Sequence, residues 1–123
     1  EYMTESILNT IKQMLGILIV DTAFDTDIIV NINSAFMTLQ QLGVGLEEVF
    51  SIEDDSVLWG DFLEDPTMYS AVKTYIYLQV KLVFDPPGTS FHLNAIENQI
   101  KELEWRLTIQ VPIPLEVIPP EVL

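Results

Sequence analysis

The 123-residue chain contains no cysteine. That excludes a disulfide framework, a thiolate metal site and a thiol nucleophile, and nothing in the chain calls for an oxidising compartment. Histidine occurs once, as His92, without a second histidine or a cysteine to partner it, so it reads as a surface or interface residue rather than a base. Basic residues are scarce: five Lys and Arg stand against nineteen Asp and Glu, a formal net charge of -14, and none lies between Lys12 and Lys73. Such a field repels phosphate, which argues against a nucleic-acid grip. Long apolar runs are also missing. The longest, Met14 to Val20, is far short of a membrane span and lacks the basic flank of a signal peptide, so the expectation is a soluble, intracellular protein.

The glycines and acids that are present do not assemble a reactive site. Gly43-Val44-Gly45 follows a helical pattern instead of opening one and has no lysine beside it, unlike a phosphate cradle. Asp54-Asp55 and the Asp25, Asp27 pair lack the glycine, ligand spacing and closing glutamate of a calcium loop. The expectation is therefore a protein that is not an enzyme and needs no cofactor or metal. Half of the chain (49%) is hydrophobic and its mean hydropathy is +0.31. One core suffices for this length, so part of that apolar surface is expected to meet a partner. The cluster Glu47, Glu48, Glu53, Asp54 and Asp55, continued by Asp61, Glu64 and Asp65, has two readings: a solvated loop, or a surface that DNA passes without sticking.

Spacing predicts four helices and a short turn. Thr4 is placed to cap a first helix reaching Leu15, with Ile7, Leu8, Ile11 and Leu15 on one face and Gly16 near its end. Phe24, Ile28, Ile32, Ala35, Phe36, Leu39 and Leu42 predict an amphipathic helix capped by Asp21 or Asp25 and closed by Gly43. A linker, Gly43 to Asp55, leads to a helical turn holding Trp59, Phe62 and Leu63. Asp65-Pro66 then starts a helix to Phe84 that is apolar on nearly every side and central in a bundle, with a strand over Val72 to Phe84 as the alternative. Asp85-Pro86-Pro87 stops it, Gly88 is expected to permit the reversal, and Thr89 or Ser90 to cap a last helix from Phe91 to Leu107. That helix carries Ile96, Ile100, Leu103 and Leu107 as a stripe, with Glu97-Lys101 and Glu102-Arg106 as ion pairs four apart.

The tail changes period. Leu107, Ile109, Val111, Ile113, Leu115 and Val117 alternate with Thr108, Gln110, Pro112, Pro114 and Glu116, the signature of an extended strand with one apolar edge. Its prolines bar it from the middle of a sheet. The expectation is an all-α bundle of four to five helices, residues 1–107, with an extended proline-rich C-terminal arm, residues 108–123, docking on a neighbouring subunit or another protein.

Three segments carry a family likeness: "DTAFDTDIIVNINSAFMTLQQLGVG", "FLEDPTMYSAVKTYIYLQVKLVFDPP" and "AIENQIKELEWRL". Together they resemble the small head-tail connector, or adaptor, proteins of long-tailed bacteriophages over most of Asp21 to Leu107. The resemblance implies a virion structural protein whose copies form a ring of about a dozen subunits at the neck, each using two different surfaces. Such a ring joins the portal protein to the stopper or tail-completion protein and extends the DNA channel. It would place Glu47, Glu48, Glu53, Asp54 and Asp55 along or beside that channel, and would use Ile109, Val111, Ile113, Leu115 and Val117 to reach the portal or the next subunit. Asp85, Pro86, Pro87 and Gly88 then have two readings, a stiff helix-helix turn or a projecting tip that makes a subunit or portal contact. The rival from another class is an acidic mimic of DNA that inhibits a nucleic-acid-binding protein. It accounts for the charge but has no need of the apolar arm.

Overall fold

The computed structural model describes residues 2–109. They form an all-helical protein of four helices: α1 (Ile7–Met14), α2 (Asp25–Gln41), α3 (Pro66–Phe84) and α4 (Ser90–Ile109). Two single 3₁₀ turns, Tyr2–Thr4 and Trp59–Asp61, complete it. The second is the turn expected around Trp59, and it delivers Trp59, Phe62 and Leu63 to the interior.

α3 is the central element, as its all-round apolar surface requires; Val72, Tyr75, Ile76, Leu78 and Val80 are buried along it. It is a helix throughout, which removes the strand alternative. α2 runs antiparallel to it. At one end Phe24 meets Phe84 edge to face, with ring centroids 5.4 Å apart; at the other, Val44 and Met68 line one groove. Ile28, Ile32, Ala35, Phe36 and Leu39 are the buried face of α2, the middle of the stripe read from spacing; of its ends, Phe24 is exposed and Leu42 half-buried. α1 packs on α2 and α3, while α4 packs chiefly on α3, through Ile100 and Leu107 with Ile96 and Leu103 beside them.

Helix ends follow local chemistry, with four corrections. α3 begins as expected: the Asp65 carboxylate accepts from the Thr67 N–H at 2.9 Å and Pro66 occupies the first position. Gly43 closes α2 with φ +82°, giving its N–H to Gln40 and that of Val44 to Leu39, a pairing that uses the left-handed region open to glycine. The cap of α1, however, is Ser6, whose hydroxyl accepts from the Asn9 N–H; Thr4 belongs to the preceding turn. Neither Asp21 nor Asp25 caps α2. The cap position is Phe24, because Asp21 holds the Ala23 N–H and Asp25 is the first helical residue, facing Lys12. Gly88 does not supply the reversal after α3, since its φ is not positive and the space around it is open. The two prolines and the Thr89 hydroxyl, which accepts from the His92 N–H, define the corner. Finally, α4 continues through Thr108 and Ile109, so the alternation from Leu107 is not extended chain at its start; Leu107 itself is fully buried. The rest of the proposed arm lies outside the described residues.

A buried cation ties the first connection together. The Lys12 ammonium, 1% exposed, donates to the carbonyls of Ile19 (3.0 Å) and Asp21 (2.7 Å) and faces Asp25 Oδ1 at 2.8 Å. Two carbonyls accept hydrogen bonds from it and the carboxylate supplies the opposite charge beside it, which is how a buried ammonium is accommodated. The loop between α1 and α2 is thereby held against both helices while its apolar side chains point outward.

Candidate interaction surfaces

The residues singled out from the sequence fall on separate parts of the molecule. Asp85, Pro86 and Gly88 are exposed and Pro87 is half-buried, so the corner projects. Its root is fixed by the Asp85 N–H bonded to the Lys81 carbonyl at 3.0 Å and by the Lys81 ammonium 3.4 Å from the Asp85 carboxylate. Exposed Val83 and Phe91 flank it, the latter 76% exposed, with Phe24 on the same end of the bundle. A bare helix-helix turn has no need of three exposed apolar side chains around it.

Glu47, Glu48, Glu53, Asp54 and Asp55 are all exposed. Their loop is pinned to α2 by a contact that the sequence does not announce. The Asn33 amide donates to the Ile52 carbonyl at 3.0 Å and its oxygen accepts from the Ile52 N–H at 2.8 Å, while Gln40 donates to the Glu47 carbonyl. Asp54 accepts from both the hydroxyl and the N–H of Ser56, which hold its carboxyl below the usual carboxylate value, the hydroxyl more strongly.

Of the arm residues, Ile109 is exposed at the end of α4; Val111, Ile113, Leu115 and Val117 lie outside the described residues. Of the two expected ion pairs on α4, Glu102 and Arg106 meet and Glu97 and Lys101 do not. His92 is exposed and bonded to the Thr89 hydroxyl through Nδ1. Among the described residues no group of three His, Cys, Asp or Glu is arranged to hold a metal ion, and no helix is long and apolar enough to cross a membrane.

Two features emerge only in three dimensions. The first is a groove of about 410 Å³ where the connection between α2 and α3 folds over the start of α3. Val44, Phe62, Leu63 and Met68 form its floor, Leu46 stands exposed at its edge, and Asp61, Glu64 and Asp65 form its rim. The ring of Phe62 packs at a tilt against Phe36 and Phe50, centroids 4.7 and 5.1 Å away, and Gly45 lies directly on it: a Cβ there would sit 2.5 Å from Phe62 Cζ. The second is the outer face of α4, where Lys101, Trp105 and Ile109, four residues apart, are all exposed, Trp105 by 64%. Neither could be found by periodicity, since the groove is built from two segments that have none and the α4 stripe is the helix's polar side with one tryptophan in it.

Exposed apolar residues also crowd the loop held by Lys12, where Leu18, Ile19 and Val20 are open to solvent, Val20 by 86%. These exposed apolar side chains, at both ends and on a fixed loop, are the candidate contact surfaces of the molecule. Comparison with curated proteins and with solved structures gave no match. Comparison with family models gave one, described as phage connector protein, over residues 7–112. Since that match takes in all four helices and the loops that carry these surfaces, the chain belongs to the phage connector family and has a head-tail connector role.

Proposed function

We propose that the protein is a non-enzymatic component of the virion neck, forming a homo-oligomeric ring that joins the portal protein to the stopper or tail-completion protein and extends the DNA channel. The observation that carries this reading is the family match across the whole helical body. The exposed apolar residues Leu18, Val20, Val83, Phe91 and Trp105 support the ring, because a closed head-to-tail assembly needs two dissimilar sticky surfaces on each copy. The acidic loop suits a wall past which DNA slides, since basic side chains would release counterions and bind the phosphates. The projecting Asp85-Pro86-Pro87-Gly88 corner, with Val83 and Phe91, serves as a contact to portal or to the next copy.

The test is the mass of the purified protein in solution, alone and with portal protein, at low and physiological salt. A large closed assembly, formed alone or on portal, is the expected result. The exposed, unpaired carboxylates of Glu47, Glu48, Glu53 and Asp55 favour the acidic DNA mimic as a second reading. A stable monomer or dimer that ignores portal and binds a basic DNA-binding protein, in a way that weakens with salt, would replace the connector ring with that mimic. Pro87→Gly tests the corner: ring formation and portal binding unchanged in this variant would leave it a plain turn.

A further inference from the structure

We infer that the Lys101, Trp105 and Ile109 face of α4 docks in the acidic-rimmed groove of a second copy of this chain, and that this is the head-to-tail contact of the ring. The inference rests on the ring reading above and adds the two surfaces that make it. Both halves are on the same molecule and complement each other in charge and polarity. The groove offers an apolar floor of Val44, Phe62, Leu63 and Met68 inside a rim of Asp61, Glu64 and Asp65. No lysine or arginine occurs from residue 13 to residue 72 to neutralise that rim. The α4 face offers an exposed indole and an isoleucine, with Lys101, which has no ionic partner among the described residues, one turn away. An aromatic anchor entering an apolar pocket, with opposite charges meeting at the rim, is the usual composition of a contact that carries binding energy.

Placement agrees with chemistry. α4 is antiparallel to α3, with Glu104 near its end bonded to Tyr75, so its last turns lie at the same end of the bundle as the start of α3, where the groove is. α4 lies along α3, while the groove is made by the connection from α2, and no residue of α4 lines it. Two complementary surfaces at one level but on different flanks relate successive copies by a rotation, which is the arrangement a closed head-to-tail ring needs. Groove-to-groove pairing about a two-fold axis is disfavoured, because it would set one acidic rim against another, and a reciprocal two-fold exchange of the two surfaces would stop the cross-linked product at the dimer.

Thiol cross-linking tests this directly, because the chain has no cysteine to confuse it. Leu46→Cys and Thr108→Cys, both at exposed positions that leave the core and the Trp105 indole in place, are combined in the full chain and treated with a short bismaleimide. The protein is held at about 1 mM, where even a contact with a dissociation constant of about 1 mM is roughly two-fifths formed. The expected product is a ladder of covalent dimers, trimers and higher species, with each single variant giving no ladder. Lys101→Glu in the same background should lower the yield about fivefold, as for loss of a rim ion pair. Assembly seen by mass but no ladder would overturn the docking while leaving the ring standing. No assembly and no ladder, with or without portal protein, would remove both. A cross-link within one chain, or one formed instead by Leu46→Cys with Leu115→Cys, would show the groove filled by this chain's own α4 or tail and would also overturn the docking.

Discussion

At the scale of single residues, two glycines make opposite predictions. Gly45 has φ +89° and presses on Phe62, so Gly45→Ala combines backbone strain with a clash against a packed ring; a loss of about 2 kcal/mol or more is expected in urea unfolding. Gly88 has open space and no positive φ. Gly88→Ala should be neutral or stabilise by about 0.5 kcal/mol through the unfolded chain. Tyr75 is the other sensitive position. Its buried hydroxyl donates to Glu104 at 2.8 Å and accepts from Gln79 at 2.9 Å, joining α3 to α4. Tyr75→Phe leaves both partners unmatched and should cost about 1–2 kcal/mol. Burial, then the bond to Glu104, pushes this hydroxyl well above a tyrosine's ordinary value; burial, then the charge of Glu5, raises Tyr69 to about 12. Both groups ionise more easily in the unfolded chain. Their contribution is thus complete below pH 10 and is lost as the pH climbs toward 12. Urea midpoints measured across that window should fall, and fall less steeply in Tyr75→Phe and Tyr69→Phe.

At the scale of elements, the acidic loop depends on one side chain of α2. Asn33→Ala removes both bonds to the Ile52 backbone and should speed amide exchange through residues 47–55 at least tenfold, with α3 unaffected. Exchange in that loop equal to the parent would show that Val44, Ile52 and Gln40 hold it without Asn33. The same element shows where sequence reading succeeds and stops. Ile28 through Leu39 reveal the buried face of α2 because helical spacing is a local property, whereas Phe24, on the same spacing, is the cap residue and stays exposed; Asp65-Pro66 and Gly43 mark ends by local chemistry. Thr4 and Ser6 are equally good caps in sequence, and only the bridge of Ser6 to Leu58, with the Ile7 N–H bonded to the Val57 carbonyl, selects the second. Asp21 and Asp25 look like caps, yet a lysine thirteen residues before Asp25 claims that region. The groove was illegible for the same reason: its walls come from residues 43–46 and 60–68, joined by tertiary packing alone. The corner, acidic loop and Ile109 could be named from sequence, whereas the exposure of Trp105 is set by how α4 lies on α3 and is not marked in the sequence.

At the scale of the whole molecule, charge sets the terms. With a net charge of -14, copies repel one another and each bundle strains against itself. Raising ionic strength from about 0.01 M to 0.15 M shortens the screening length from about 30 Å to 8 Å and should raise the melting temperature of the monomer; a melting temperature that falls over this range would mean that attractive ion pairs outweigh the repulsion. Only three such pairs occur among the described residues, and two of them join side chains four residues apart near the surface, one at the end of α3 and one on α4, which is why repulsion is expected to dominate. The third, at Lys12, makes the amines of this protein unequal as nucleophiles. Lys73, Lys81 and Lys101 reach solvent at least in part, so an amine-acylating reagent should modify them in the folded state. Lys12 can react only when its three oxygens let go and the connection between α1 and α2 opens. Acylation at Lys12, located by peptide mass rather than by counting increments, is therefore a clock for that opening.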